Sequence, residues 1–123
     1  MAAASAGIAP RILGLASVPA LEAACRRAGL RPGELAAVEL NEAFAAQVLA
    51  TMDALSLNPH IVNRNGGTLA FGHPYGSSGA ALVSRLYSRL IRNPTGLAKG
   101  PAAVMIAAAG GVGVAALFAP ISF

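Results

Sequence analysis

The amino-acid sequence predicts an α/β domain of layered helices and sheet. Segments with helical apolar spacing alternate with short, almost wholly apolar runs, the pattern of strands covered by helices. The 123 residues fit one domain. The apolar fraction is high, at 55%, and much of it is alanine; together with 14 glycines this requires a core built on close backbone approach. Such small side chains leave apolar surface over for a partner.

The first helix is expected to start after Ser17, with Pro19 in the first turn, where a missing N–H costs nothing. Leu21, Ala24, Cys25 and Ala28 recur at helical spacing and form one apolar stripe, while Glu22 and Arg26 make an i,i+4 pair on the wet side. Gly29 ends the helix. After the Pro32-Gly33 turn, Leu35 to Leu40 reads as a short strand. A second helix is expected from about Glu42 to Leu57, with Phe44, Val48, Met52 and Leu55 on one face, stopped by Asn58-Pro59. Asn63 to Gly79 reads as loop. A third helix, capped by Ser77 or Ser78, runs to about Arg92. Its Leu82, Val83, Leu86 and Leu90 face inward, and its Arg85, Arg89 and Arg92 face water. Asn93 to Gly100, with Pro94 and Gly96, is a loop. Two strands, Pro101 to Ala109 and Val112 to Pro120, close the order around Gly110-Gly111.

Charge and cysteine content narrow the function. Only 11% of residues are charged, which excludes a charge-rich disordered tail. The nine Lys and Arg form no dense run and have no aromatics interleaved, so no nucleic-acid partner is expected; phosphate-bearing ligands remain open. Cys25 is the one cysteine, which excludes an internal disulfide and a Cys-rich metal site. It lies on the buried stripe and is expected to pack there rather than act as a thiol nucleophile. Neither a metal nor a resident cofactor is expected. The default compartment is the cytoplasm. The mitochondrial matrix is the alternative, since Met1 to Ala20 is Ala-rich, carries Arg11 and has no acid. Gly100 to Phe123 is uncharged and long enough to span a bilayer, but the glycine pair and the bracketing Pro101 and Pro120 favour two short strands, so no membrane partner is expected.

The strongest chemical signal is the loop from Asn63 to Gly79. It holds five glycines, and Pro74 stiffens the chain directly after His73. A histidine on a stiff loop before a helix suits acid/base or oxyanion work; an ordinary hydrogen-bonded loop histidine fits the same residues. A phosphate cradle is a further reading, although the lysine of a P-loop is missing.

This loop resembles the glycine-rich histidine loop of the thiolases, N-x-x-G-G-x-[aliphatic]-A-x-G-H-P-x-G-x-S-G, at every fixed position. Asn41-Glu42-Ala43-Phe44 is similar to the family's Asn-Glu-Ala-Phe motif. Pro10 to Ala20 resembles the segment leading into the first helix of the family's C-terminal domain, and Gly110-Gly111-Val112-Gly113 resembles its terminal glycine hairpin. The resemblance implies the C-terminal half of the thiolase fold, an α/β/α layer with a mixed sheet. The family's opening strand would precede residue 10, in altered form. Residues 1–9 are accordingly set apart as an N-terminal extension and 10–123 as the thiolase-like domain.

The resemblance also implies a mechanism, acyl transfer between 3-oxoacyl-CoA and CoA, with the coenzyme A thioester as substrate rather than cofactor. His73 would activate a nucleophilic cysteine and donate to a thioester oxyanion. Asn41 would hold a water that completes the oxyanion hole. Gly72, Pro74 and Gly110 would support the site. Glu42 would position the loop, or else simply sit in the first turn of the second helix, near its positive dipole end. Two features depart from the family. The nucleophilic cysteine and most of the CoA surface belong to the family's N-terminal half, and Cys25 matches no such motif. Alignment on Gly110-Gly111 puts Ala107 where the family has its acid/base cysteine, and Ala109 at the following glycine. The expected partners are therefore acyl-CoA and a thiolase N-terminal half or full-length subunit, in a homo- or hetero-oligomer, with little activity in the isolated chain. The alternative expectation is a degenerate interaction or assembly module.

Overall fold

The structure is a computed structural model that describes residues 2–92 and 100–119. The expected loop over 93–99, the water-facing Arg92 side chain and the strand end at Pro120 lie outside the described residues. Four strands form one sheet: β1 (Ala2–Gly7), β2 (Ala37–Leu40), β3 (Ala102–Ala108) and β4 (Val112–Phe118), in the order β1-β4-β3-β2. β4 is antiparallel to both β1 and β3, whereas β2 and β3 are parallel, so the sheet is mixed as expected. The helices are α1 (Ser17–Ala28), α2 (Ala45–Leu55), the single turn α3 (Thr68–Phe71) and α4 (Ser78–Tyr87), the last continuing as a π-turn over Ser88–Arg92.

Strand alternation sorts the two faces of the sheet. Val38, Leu40, Ala103, Met105, Ala115 and Leu117 point to one face and pack with Leu21, Ala24 and Cys25 of α1. Val48, Met52 and Leu55 of α2 join that core. Ala37 and Ala102, with the partly buried Val104 and Phe118, point the other way and meet Leu86 and Leu90 of the α4 segment. The result is three layers, α/β/α. Among the described residues, close backbone approach is confined to the β4 end of that face. A Cβ on Gly113 of β4 would lie 1.8 Å from the Ala16 carbonyl oxygen. At the β3–β4 turn Gly110 and Gly111 both have φ +81, and a Cβ on Gly111 would lie 2.2 Å from the Ile8 carbonyl oxygen.

Several sequence expectations change. Residues 1–9 are not an extension, because Ala2–Gly7 is an edge strand paired with β4 from Ala2↔Leu117 to Gly7↔Val112. A run of Ala, Ser and Gly shows no contrast between its two faces, so nothing local announces a strand. Ser17 does not cap α1; it is the first helical residue, fully buried, with its Oγ unpartnered. Gly29 does end α1, with φ +69 and the Leu30 N–H donating to the Cys25 carbonyl at 2.9 Å. The Glu22–Arg26 pair is not formed. α2 begins at Ala45 rather than near Glu42, so Glu42 is not in its first turn. Phe44, expected inside, is 72% exposed. Leu82 and Leu86 are buried as expected, but Val83 is exposed and Arg85 and Arg89 turn inward. The apolar segment that begins at Gly100 supplies β3 and β4 rather than a membrane span; no helix among the described residues is long and apolar enough to cross a membrane.

Candidate functional site

The carboxyl ends of the parallel strands β2 and β3 share one edge of the sheet, the edge where open α/β sheets carry their sites. β2 runs out into Asn41, whose backbone N–H donates to the Met105 carbonyl at 3.0 Å. Ala107 lies two residues further along β3, roughly 7 Å at the usual rise per strand residue. The Gly110-Gly111 turn follows.

The glycine-rich loop is fastened to this edge by polar side chains. Asn63 opens it with φ +40 and continues the sheet with its amide group. Its Oδ1 accepts from the Leu40 N–H at 2.7 Å, and its Nδ2 donates to the Leu40 carbonyl at 2.8 Å and to Glu42 Oε1 at 2.7 Å. The second carboxylate oxygen, Glu42 Oε2, accepts from the Leu69 N–H at 3.0 Å. The Glu42 N–H donates to Thr68 Oγ1 at 2.8 Å, and the Thr68 hydroxyl donates to the Glu42 carbonyl at 2.7 Å. Gly67 leaves the space for this clamp, since a Cβ there would sit 2.2 Å from the Glu42 carboxyl carbon. The clamp also explains why α2 starts late: both the backbone and the carboxylate of Glu42 are committed to the loop.

His73 leaves α3 through Gly72, whose φ of 91° and ψ of 166° belong to a region that essentially only glycine occupies. The imidazole is exposed, and its Nδ1 lies 2.6 Å from the Oγ of buried Ser78, the first residue of α4. Ser78 thus bonds the ring rather than capping the helix. With Nδ1 engaged, Nε2 is the nitrogen left for a substrate. The Tyr75 ring lies 4.9 Å away, tilted by 42°. Asn41 is 3% exposed and its Oδ1 has no hydrogen-bond partner. A buried acceptor left unpaired costs roughly 1–3 kcal/mol, which a bound water would relieve; Ser17 Oγ in the α1 core is left in the same state. No hydrogen bond among the described residues joins His73 to Asn41, Ala107 or Gly110. Asn41 and His73 are linked instead through Glu42 and α3.

A second polar group lies on the α4 face. Glu39, in the middle of β2, is fully buried. Arg85 Nε lies 2.9 Å from its Oε2 and Arg89 Nη1 2.8 Å from its Oε1. Arg89 also donates to the Ile61 carbonyl at 3.2 Å, ahead of the loop, and Arg85 donates to the Gly66 carbonyl within it. Sequence reasoning missed Glu39, Arg85 and Arg89 as a unit. The available signal was an acid inside an apolar strand, which requires a partner if buried, with two arginines at i,i+4 downstream. Cys25 lies on the opposite side of the sheet, in the α1 core. Burial, and then the charges of Glu22 and Glu34, push its thiol pKa up, so it remains a protonated packing residue. Among the described residues no group of three or more His, Cys, Asp or Glu is placed to hold a metal ion.

Fold and site together define an α/β/α domain that presents a loop histidine beside the carboxyl edge of a mixed sheet. The family described as "Thiolase, C-terminal domain" matches residues 1–119. The chain belongs to the thiolase family, as its C-terminal domain. The acetyl-CoA acetyltransferase of Shinella zoogloeoides is 45% identical over 112 residues, covering 91% of this chain and 28% of that protein. The 3-oxoadipyl-CoA/3-oxo-5,6-dehydrosuberyl-CoA thiolase of Escherichia coli (strain K12) is 51% identical over 86 residues, 68% of this chain and 21% of that protein. Among solved structures, human mitochondrial 3-ketoacyl-CoA thiolase in complex with CoA matches at a TM-score of 0.92 and 35% identity, over 99% of this chain and 30% of that one. The chain thus spans less than a third of the length of these relatives.

Proposed function

We propose that this domain supplies His73 and Asn41 to acyl transfer between a 3-oxoacyl-CoA and CoA, on a nucleophilic cysteine borne by a thiolase N-terminal half. The observation that carries the reading is the Glu42 clamp. It ties the strand end that bears Asn41 to the turn that presents His73, and His73 Nε2 and Asn41 Oδ1 make no hydrogen bond among the described residues. The substrate class is supported by the human mitochondrial thiolase, whose structure was solved in complex with CoA.

In this reading the Nδ1–H of His73 donates to Ser78 Oγ, which keeps the Nε2 lone pair available. Nε2 takes the thiol proton of the incoming cysteine, and the thiolate attacks the thioester carbonyl. The new Nε2–H then donates to the oxyanion, and a water held by the Asn41 amide supplies the second donor. Collapse of the adduct breaks the acyl C–S bond, leaving the acyl group on the cysteine and releasing CoA, which takes the proton back as its thiol. Ala107 has no proton to exchange. Deprotonation of the acyl α-carbon, or protonation of the leaving enolate, therefore lacks its catalyst, a deficit of roughly 10²- to 10⁴-fold. Acyl transfer and thioester hydrolysis are favoured over C–C bond formation, and the isolated chain is inactive. Ala107 also favours a second reading, a non-catalytic assembly module docked on a thiolase subunit.

Mass spectrometry of acyl-CoA turnover, with and without a thiolase N-terminal half, separates the two. The expected result is an acyl-enzyme that forms only in the mixture and disappears in His73→Ala, with condensation rising in Ala107→Cys. A stable complex that forms no acyl-enzyme rejects acyl transfer and selects the assembly reading.

A further inference from the structure

We propose that Arg85 is a positioning residue for His73, holding the exit of the loop from the side opposite Glu42; the use of His73 in acyl transfer rests on the reading above, but its placement does not. His73 sits between two tethers of different chemistry. On the N-terminal side, Glu42 and Thr68 fix the start of α3 by hydrogen bonds. Those bonds stop at Leu69, and the residues that set the direction of the imidazole, Phe71 and Gly72, come after it. Arg85 reaches this exit. Its guanidinium carbon lies 5.0 Å from the centroid of the Phe71 ring, a cation–π contact. The same guanidinium donates to the Gly66 carbonyl, just ahead of α3. Its third attachment is buried Glu39 Oε2, at 2.9 Å on β2, two residues before Asn41.

One planar group therefore spans the strand that leads to Asn41 and both ends of the turn that leads to His73. Glu39 anchors the fork rather than merely neutralising it, because Arg89 takes the other carboxylate oxygen and prevents the carboxylate from turning. Lysine could keep the charge but could not reach three separate partners with a fixed fork. Glycine at position 72 adds a reason for a tether, since its backbone imposes little direction of its own.

The test uses the full chain. ¹⁵N-resolved NMR of the two imidazoles reads the tautomer of His73, with His60 as an internal control. In the unmodified chain His73 is expected to show a single dominant tautomer, the one with Nδ1 committed to Ser78. In Arg85→Met, and equally in Arg85→Lys, that signature should collapse to a mixture while His60 is unchanged. Should Arg85→Met fail to fold, Phe71→Leu decides, because Phe71 is exposed and its replacement leaves Glu39 paired; it is expected to move the His73 signals in the same direction by a smaller amount. In a mixture with a thiolase N-terminal half, Arg85→Lys should lower kcat roughly tenfold to 10²-fold with KM unchanged. His73 spectra identical to the unmodified chain in both Arg85→Lys and Phe71→Leu overturn the proposal and leave the acyl-transfer reading standing. An altered tautomer in a chain that forms no acyl-enzyme in any mixture leaves the placement standing and removes the reaction.

Discussion

The two faces of the sheet use opposite means to hold a helix. On the α1 face the contact is dry and small. Alanines, a cysteine and glycines let backbones touch, and a methyl group added at Gly113 would strike the Ala16 and Ser17 backbone. On the α4 face the centre of the contact is a buried carboxylate gripped by two arginines, which are 24% and 10% exposed. Among the described residues, the apolar cluster on that face joins Leu86 and Leu90 to Ala37, Ala102, Val104 and Phe118. The α1 face is built for closeness, and its one thiol, Cys25, is buried in the core. The α4 face accepts the cost of buried charge and thereby fastens the loop that presents His73. The proposed chemistry is located where the packing is polar and directional, because a hydrogen-bonded fork fixes geometry in a way that methyl contacts do not.

The largest expected effect lies on the dry face. Gly113→Ala should destabilise by more than about 3 kcal/mol in urea titration, since the obstructing atoms are backbone and cannot rotate away. Gly7→Ala, with no atom within 4 Å of the new Cβ, should change stability by less than about 0.5 kcal/mol. Comparable losses for the two would dissolve the contrast.

Next comes the polar face. Glu39→Gln should cost roughly 3 kcal/mol, because it leaves Arg89 and part of Arg85 charged and unpaired. Replacing Glu39, Arg85 and Arg89 together by leucine should recover most of that stability, yet acyl transfer with a partner half should stay low. A triple variant that regains both stability and turnover would show that the network is only packing.

Gly72→Ala tests the loop itself. No atom lies within 4 Å of the new Cβ, so the cost is backbone strain alone, about 1–3 kcal/mol, with a matching loss of acyl-enzyme formation by mass spectrometry. Ser78→Ala should cost about 1 kcal/mol and free the His73 tautomer, read by the same NMR measurement.

The smallest effect is a pH slope from Cys25. Its folded thiol pKa is raised above the ordinary value of 9.0, so above that pH the unfolded chain loses a proton that the folded chain keeps. Stability should therefore fall as pH rises beyond about 9, with a slope below 1.36 kcal/mol per pH unit from this group. Cys25→Ala should flatten the slope whatever it does to the absolute stability.

Much of the layered fold was legible in the chain. The stripe of Leu21, Ala24 and Cys25, the stop at Gly29 and the turn at Gly110-Gly111 are local signals, and they hold because period and backbone freedom act within a few residues. The importance of Asn63 to Gly79 was legible too, from glycine density and the His-Pro step. Strand β1 was expected only through the family resemblance, which put an opening strand before residue 10; nothing in its own residues shows it, because its register comes from β4, more than a hundred residues away. The direction of Arg85 and Arg89 was equally hidden. Helical spacing puts them on the stripe of Leu82 and Leu86, but their charge argues for water, and only the docking of α4 over Glu39 supplies the buried partner that turns them inward.

The sequence by itself determined the apolar stripe of α1, the turns at Gly29 and Gly110-Gly111 and the glycine-dense loop, since those follow from residue type and spacing; the roles proposed for His73 and Asn41 rest on the family resemblance. The tertiary structure alone decided what Glu42 and Glu39 hold. A carboxylate can serve a helix dipole, solvent, a loop N–H or an arginine, and the choice depends on which donors the fold brings within 3 Å.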